Sequence, residues 1–146
     1  MNADGDIRGA VHSSVRHDSA RGHVTGVARY IDDMPLLPGT QEIVLVTSPH
    51  AHARIVSIDV SAARAMDGVR GIATAADIPG HNDVGPIFDG EPILADGLAD
   101  YAGAPIVAVA ADTYDQAYAA AKKVVVEYEE LTPVLEIEDA LEREQY

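Results

Sequence analysis

The stretch from Pro105 to Glu130 constrains this chain more than any other, because three regular patterns follow one another there without a break. Ile106 to Ala111 is apolar throughout and reads as a strand, with Pro105 at its first residue, where a missing N–H does least harm. Thr113, with Gln116 three residues on, has the capping-box spacing and opens a helix. Tyr114, Ala117, Tyr118 and Ala121 share one face of that helix, and the two tyrosines read as core. Val124, Val126 and Tyr128 then alternate with Val125, Glu127 and Glu129, the pattern of a half-buried strand. Strand, helix and strand in succession predict a β-α-β unit with a right-handed crossover.

The remainder supplies further strands and turns. Residues 1–16 read as a flexible lead-in, and polar character without periodicity extends to Gly22. Val24 to Tyr30 alternates weakly, before the turn at Pro38-Gly39. Ile43-Val44-Leu45-Val46 is a continuous apolar run between Gly39 and Pro49, which predicts a strand buried on both faces. Arg54 to Val60 alternates, with Val56, Ile58 and Val60 on the inner face. Ser61 reads as the N-cap of a short helix over Ala62 to Met66, and Gly68 as its C′ residue. Val69 to Thr74 reads as another strand. Residues 81–100 are irregular, with Ile87, Phe88, Ile93 and Leu94 set among glycines and prolines; a loop of this length predicts an interfacial role. The acidic tail forms a short helix from Glu138, a pattern expected to continue past Tyr146. The fold class is therefore α/β (α+β): a small mixed sheet of about five strands with flanking helices. The expected boundaries are a lead-in over 1–16, one domain over 17–135, and a linker or helix starting at 136–146.

Charge limits the partners. Ten basic against 24 acidic residues give a formal net charge of −14. That field repels phosphate backbones and anionic lipid, so neither nucleic acid nor membrane is an expected partner. No apolar stretch approaches the roughly 20 residues of a transmembrane helix. Met1 to Asp6 carries two acids and no apolar run, which does not read as a secretory signal and makes the cytoplasm the expected compartment. The absence of Cys removes disulfides, thiol catalysis and Cys-ligated zinc or iron–sulfur clusters.

Few residues form a chemical constellation. His50 and His52, spaced to share a strand face, are a candidate metal pair, but Pro49 puts them in a turn and spacing fixes no third ligand. Asp32-Asp33 lacks the further oxygens of a calcium loop and reads as turn capping. Gly22-x-x-x-Gly26 and Gly68-x-x-Gly71 match no phosphate-binding fingerprint and read as turn residues, and no Ser lies in a G-x-S-x-G turn.

Taken in order, several blocks resemble the large subunit of the molybdenum hydroxylase family, in its xanthine dehydrogenase branch. They are His17 to Gly26, Ala28 to Asp33, Ser48 to Ile55 leading to Asp59-Val60-Ser61, Gly68-Val69, Ala76 to Gly80 and Gly85-Pro86-Ile87-Phe88. Tyr101-Ala102-Gly103, Pro105-Ile106 and Val126 to Leu131 complete them, so the resemblance covers residues 17–141. Ala104 departs from the pattern, where a larger polar residue is common. The resemblance implies the N-terminal α/β hammerhead domain of the molybdenum-cofactor-binding subunit. It implies an intact enzyme that hydroxylates hypoxanthine and xanthine to urate at a molybdenum–molybdopterin centre. Electrons would leave through 2Fe-2S clusters and FAD to NAD.

The family's substrate and pterin residues lie downstream of such a domain. No catalytic, cofactor-binding or metal residue is therefore assigned, and no cofactor is expected in this chain, which is expected to be inactive alone. The implied partners are the remainder of the molybdopterin-binding subunit and the FAD/iron–sulfur subunit. Residues 17–33 and 81–103, irregular and apolar in spots, are the expected docking segments. Three other readings remain open: a hammerhead of the aldehyde oxidase or carbon monoxide dehydrogenase type, a stand-alone protein-binding module, and a small metal enzyme built on His50 and His52.

Overall fold

The computed structural model describes residues 17–85 and 87–144, so the lead-in expected over 1–16 lies outside the described residues. The chain divides into two units with the boundary between Pro38 and Gly39. In the first, α1 (Ala20–Thr25) takes up the start of the stretch that alternates weakly over Val24 to Tyr30. Gly26, at φ 72°, closes the helix, and the Thr25 hydroxyl donates to the Arg21 carbonyl at 2.7 Å. The local stop signal outweighs a two-residue period too short to hold a strand. A 3-10 turn over Ile31–Asp33 follows, in which the Asp33 carboxylate accepts the Tyr30 amide at 3.0 Å.

The second unit holds β1 (Glu42–Thr47), β2 (Ala53–Asp59), β3 (Val69–Ala73), β4 (Leu98–Ala99), β5 (Pro105–Ala111) and β6 (Val125–Glu130). Its helices are α2 (Ser61–Arg64), α3 (Tyr114–Ala121) and α4 (Ile137–Glu142). The α/β class with flanking helices holds, and the strands form two three-stranded antiparallel sheets, ordered β1-β5-β3 and β4-β2-β6. The predicted β-α-β crossover is not formed. Both edges of β5 are taken, by β1 and β3, so the strand after α3 has no place beside it and pairs with β2 instead. Helix α3 thus carries the chain from one sheet to the other.

Three further readings change in detail. β1 is an edge strand whose residues alternate between half-buried and exposed, so it is not buried on both faces. In β2 the register against β6 shifts between Ile55 and Ser57, leaving Val56 as an extra residue. Such a bulge reverses the alternation: Ile55 and Ile58 reach the core and Val56 stays exposed. On α3 the buried stripe is Ala117 and Ala120, while Tyr114 and Tyr118 lie exposed on the outer side. The small stripe lets the helix approach Val107 and Val109 closely, which two tyrosines would prevent.

The N-cap read for α3 is formed. Thr113 Oγ1 accepts the Gln116 amide at 3.3 Å as the N-cap of α3. At α2 the expectation is corrected: Val60 and not Ser61 is the N-cap, the helix stops at Arg64 with Ala65 as C-cap, and Gly68 lies beyond the C′ position. Asp59 Oδ1, two residues before Ser61, accepts the Ser61 amide at 2.9 Å, and the Ser61 hydroxyl and amide together hold that carboxyl below the usual range. The core between the sheets and α3 gathers Ala63, Ile106, Val107, Val109 and Ala120. Among the described residues, eight of the twelve buried apolar residues are alanine. A core of such small side chains removes little apolar area from water, which leaves this unit modest stability of its own.

Candidate functional site

The turn between β1 and β2 fixes the histidine pair. Ser48 is buried and tied to the opposite loop, its amide donating to the Ala104 carbonyl at 2.9 Å and its carbonyl accepting the Gly103 amide at 2.8 Å. Its hydroxyl accepts the His50 amide at 3.1 Å, which folds the chain at Pro49. His50 Nδ1 then lies 3.4 Å from Glu130 Oε1, with its ring edge-on to Tyr128 at 4.8 Å. His52 Nδ1 lies 3.3 Å from the Thr132 carbonyl. Each histidine is engaged with a different neighbour, and no group of three metal-ligating side chains gathers among the described residues. Asp33 serves as the turn cap described above.

The irregular segment after His81 is more ordered than its composition suggests. The Asn82 side chain imitates a strand partner for Leu94, donating to its carbonyl at 2.8 Å and accepting its amide at 3.1 Å. Asp83 then gathers three amides: Oδ1 accepts Gly85 at 2.7 Å, and Oδ2 accepts Gly90 at 2.6 Å and Glu91 at 3.0 Å. These backbone bonds hold the Asp83 carboxyl below the ordinary carboxylate range, those from Gly90 and Gly85 contributing most. Gly85 is required by close approach, since a Cβ there would collide with the Phe88 carbonyl oxygen. The loop is therefore closed on itself, and at its tip Ile87 and Phe88 are 81% and 84% exposed. Leu94, Ala95 and Ala99 of the same segment turn inward and are buried.

Two clefts adjoin this loop. The smaller, about 150 Å3, lies between Pro92, Leu98, Tyr101 and Ala104. The larger, about 540 Å3, is bounded by His52, Asp100, Tyr101, Leu135 and Arg143. Asp100 and Tyr101 line both, so the two clefts run into one another, with Gly90 to Pro92 of the loop on one side and Thr132 to Leu135 on the other. Leu135, Ile137 and Leu141 are exposed apolar side chains. In the first unit Val24, Val27, Ile31 and Met34 are exposed in the same way.

The sequence has no Cys to ligate the 2Fe-2S cluster expected of the intact enzyme. No helix among the described residues is long and apolar enough to cross a membrane.

Residues 25–132 match the family model described as aldehyde oxidase and xanthine dehydrogenase, a/b hammerhead domain. The chain belongs to this family. It is 45% identical to xanthine dehydrogenase of Oryza sativa subsp. japonica over 90% of its own length and 10% of that protein's. Aldehyde oxidase 4 of Cavia porcellus is 41% identical, again over 90% of this chain and 10% of the relative. Among solved structures, the aldehyde oxidoreductase of Desulfovibrio desulfuricans superposes with a TM-score of 0.81 at 34% identity, covering 97% of this chain and 16% of that one. The hammerhead domain thus spans about a tenth of the length of these curated relatives.

The hammerhead brings the second expected docking segment, 81–103, to the same cleft as residues 132–135 and Arg143. Sequence reading missed the contribution of residues 132–143. The signal available for it was Ile137 and Leu141 at helical spacing in an acidic tail. Tyr114 and Tyr118, read as core, stack at 6.0 Å on the outside of α3, with Lys122 Nζ 4.1 Å from the Tyr118 ring.

Proposed function

We propose that this hammerhead is a non-catalytic structural domain of a molybdenum hydroxylase large subunit, of the xanthine dehydrogenase branch. In this reading it docks against the rest of that subunit. The observation that carries the reading is the Asp83-closed loop, which holds Ile87 and Phe88 out of the domain's own core. Ordering a loop to expose two large apolar side chains costs free energy unless another surface covers them. The higher identity to a plant xanthine dehydrogenase than to an aldehyde oxidase supports the branch.

The intact enzyme would oxidise hypoxanthine and xanthine in the cytoplasm. Molybdenum–molybdopterin, 2Fe-2S clusters and FAD would be held by its other parts. The hammerhead proper would span residues 17–135, and 136–146 would begin the connection onward. The test is reconstitution: this chain is mixed with the remainder of the large subunit, molybdenum cofactor and the electron-accepting partner, and xanthine oxidation is assayed. Activity in the mixture, with each piece inert alone, is the expected result. Full activity of the remainder without this chain would remove the structural role, and activity toward aldehydes but not xanthine would move the domain to another branch.

A further inference from the structure

Ile43-Val44-Leu45-Val46 is apolar at every position, the pattern of a strand covered on both sides, yet β1 has one side open. Val46 packs into the core, whereas Ile43 and Leu45 are 60% and 50% exposed. The register shows what surrounds them. Leu45 lies opposite Ala108 and Ala108 opposite Ala73; Ile43 lies opposite Ala110 and Ala110 opposite Gly71. Directly opposed residues of antiparallel strands share a face, so these six form one patch. It has a ridge of two large side chains beside a floor of alanine and glycine. None of the six is charged or polar, in a chain where 23% of residues are charged.

We infer that this outer face of the β1-β5-β3 sheet is a second docking surface, covered by apolar side chains of the same polypeptide from outside residues 1–146. The inference rests on the proposed reading of the chain as part of a larger subunit. The chain spans 10% of the xanthine dehydrogenase it resembles and 16% of the aldehyde oxidoreductase, so most of such a polypeptide is available to supply the cover. A second copy is disfavoured, because two chains of net charge −14 repel. Nor does the face itself offer a charge to complement. Its low floor suits an element laid flat across the strands, and the continuous apolar run in β1 is then the imprint of that cover in the sequence.

Hydroxyl-radical labelling of the intact large subunit reads this residue by residue, taking the rate in the unfolded subunit as reference. The expected result is protection of Ile43 and Leu45 comparable to that of Val109, which is fully buried in the core, and unchanged on dilution. Ile43 and Leu45 labelled nearly as fast as when unfolded, with Phe88 protected, overturns this inference and leaves the docking loop standing. All three labelled fast overturns the proposed docking role as well. Protection of Ile43 and Leu45 that fades on dilution makes a second copy the cover and overturns the occupant inferred.

Discussion

Gly68 holds a φ of 84° four residues past the end of α2, and a Cβ there would run into the Gln116 side chain. Gly68→Ala is expected to cost about 1–2 kcal/mol, the penalty of a left-handed residue with a Cβ, and to appear as a lowered chemical-denaturation midpoint. Thr113→Ala removes the acceptor of the Gln116 amide. It is expected to cost about 0.5–2 kcal/mol in the same measurement, as N-cap losses do. Both sites were legible because their signals are local: a glycine past a helix end, and a threonine three residues before a glutamine. Tyr114 and Tyr118 were not. Their spacing puts them on one helix face, but only the sheet beneath decides which face is inner. Val107 and Val109 leave room for alanines alone.

Elements were read more reliably than their neighbours. All the strands from β1 to β6 except the two-residue β4 were visible as apolar runs or alternations. Pairing was not, since periodicity names an element and not its partner, and the bulge at Val56 reverses a face with no mark in the sequence. The central strand β5 carries the core, and Ile106→Ala is expected to lose about 2–5 kcal/mol of unfolding free energy, the range for a fully buried isoleucine.

The loop over 82–94 was visible only as an irregular segment, because the residue that orders it, Asp83, acts through amides up to eight residues away. Its carboxyl is depressed in the folded loop. The unfolded loop therefore binds more protons between the depressed and ordinary values, and the stabilisation is present above the ordinary value and lost as pH falls through the depressed one. Hydrogen exchange at the Gly90 and Glu91 amides, corrected for intrinsic rate, is expected to speed up as pH drops through that window. Asp83→Ala is expected to abolish the dependence; protection that is flat with pH in the parent chain would contradict this role for Asp83.

Among the described residues the core is rich in alanine and many of the larger apolar side chains are exposed, a distribution that suits the proposed docking role. Aromatics are only 5% of the sequence, which points the same way. The place of the larger cleft required the fold, since its Tyr101 and Leu135 come from distant parts of the sequence. The affinity of this chain for the remainder of its large subunit, compared with that of an Ile87→Ser, Phe88→Ser double variant, tests the docking claim most directly. Burying each side chain is worth about 1.5–3 kcal/mol, so the variant is expected to bind at least about 100-fold more weakly. Its circular dichroism should be unchanged, because neither side chain reaches the core. Equal affinities for parent and variant would contradict the docking surface.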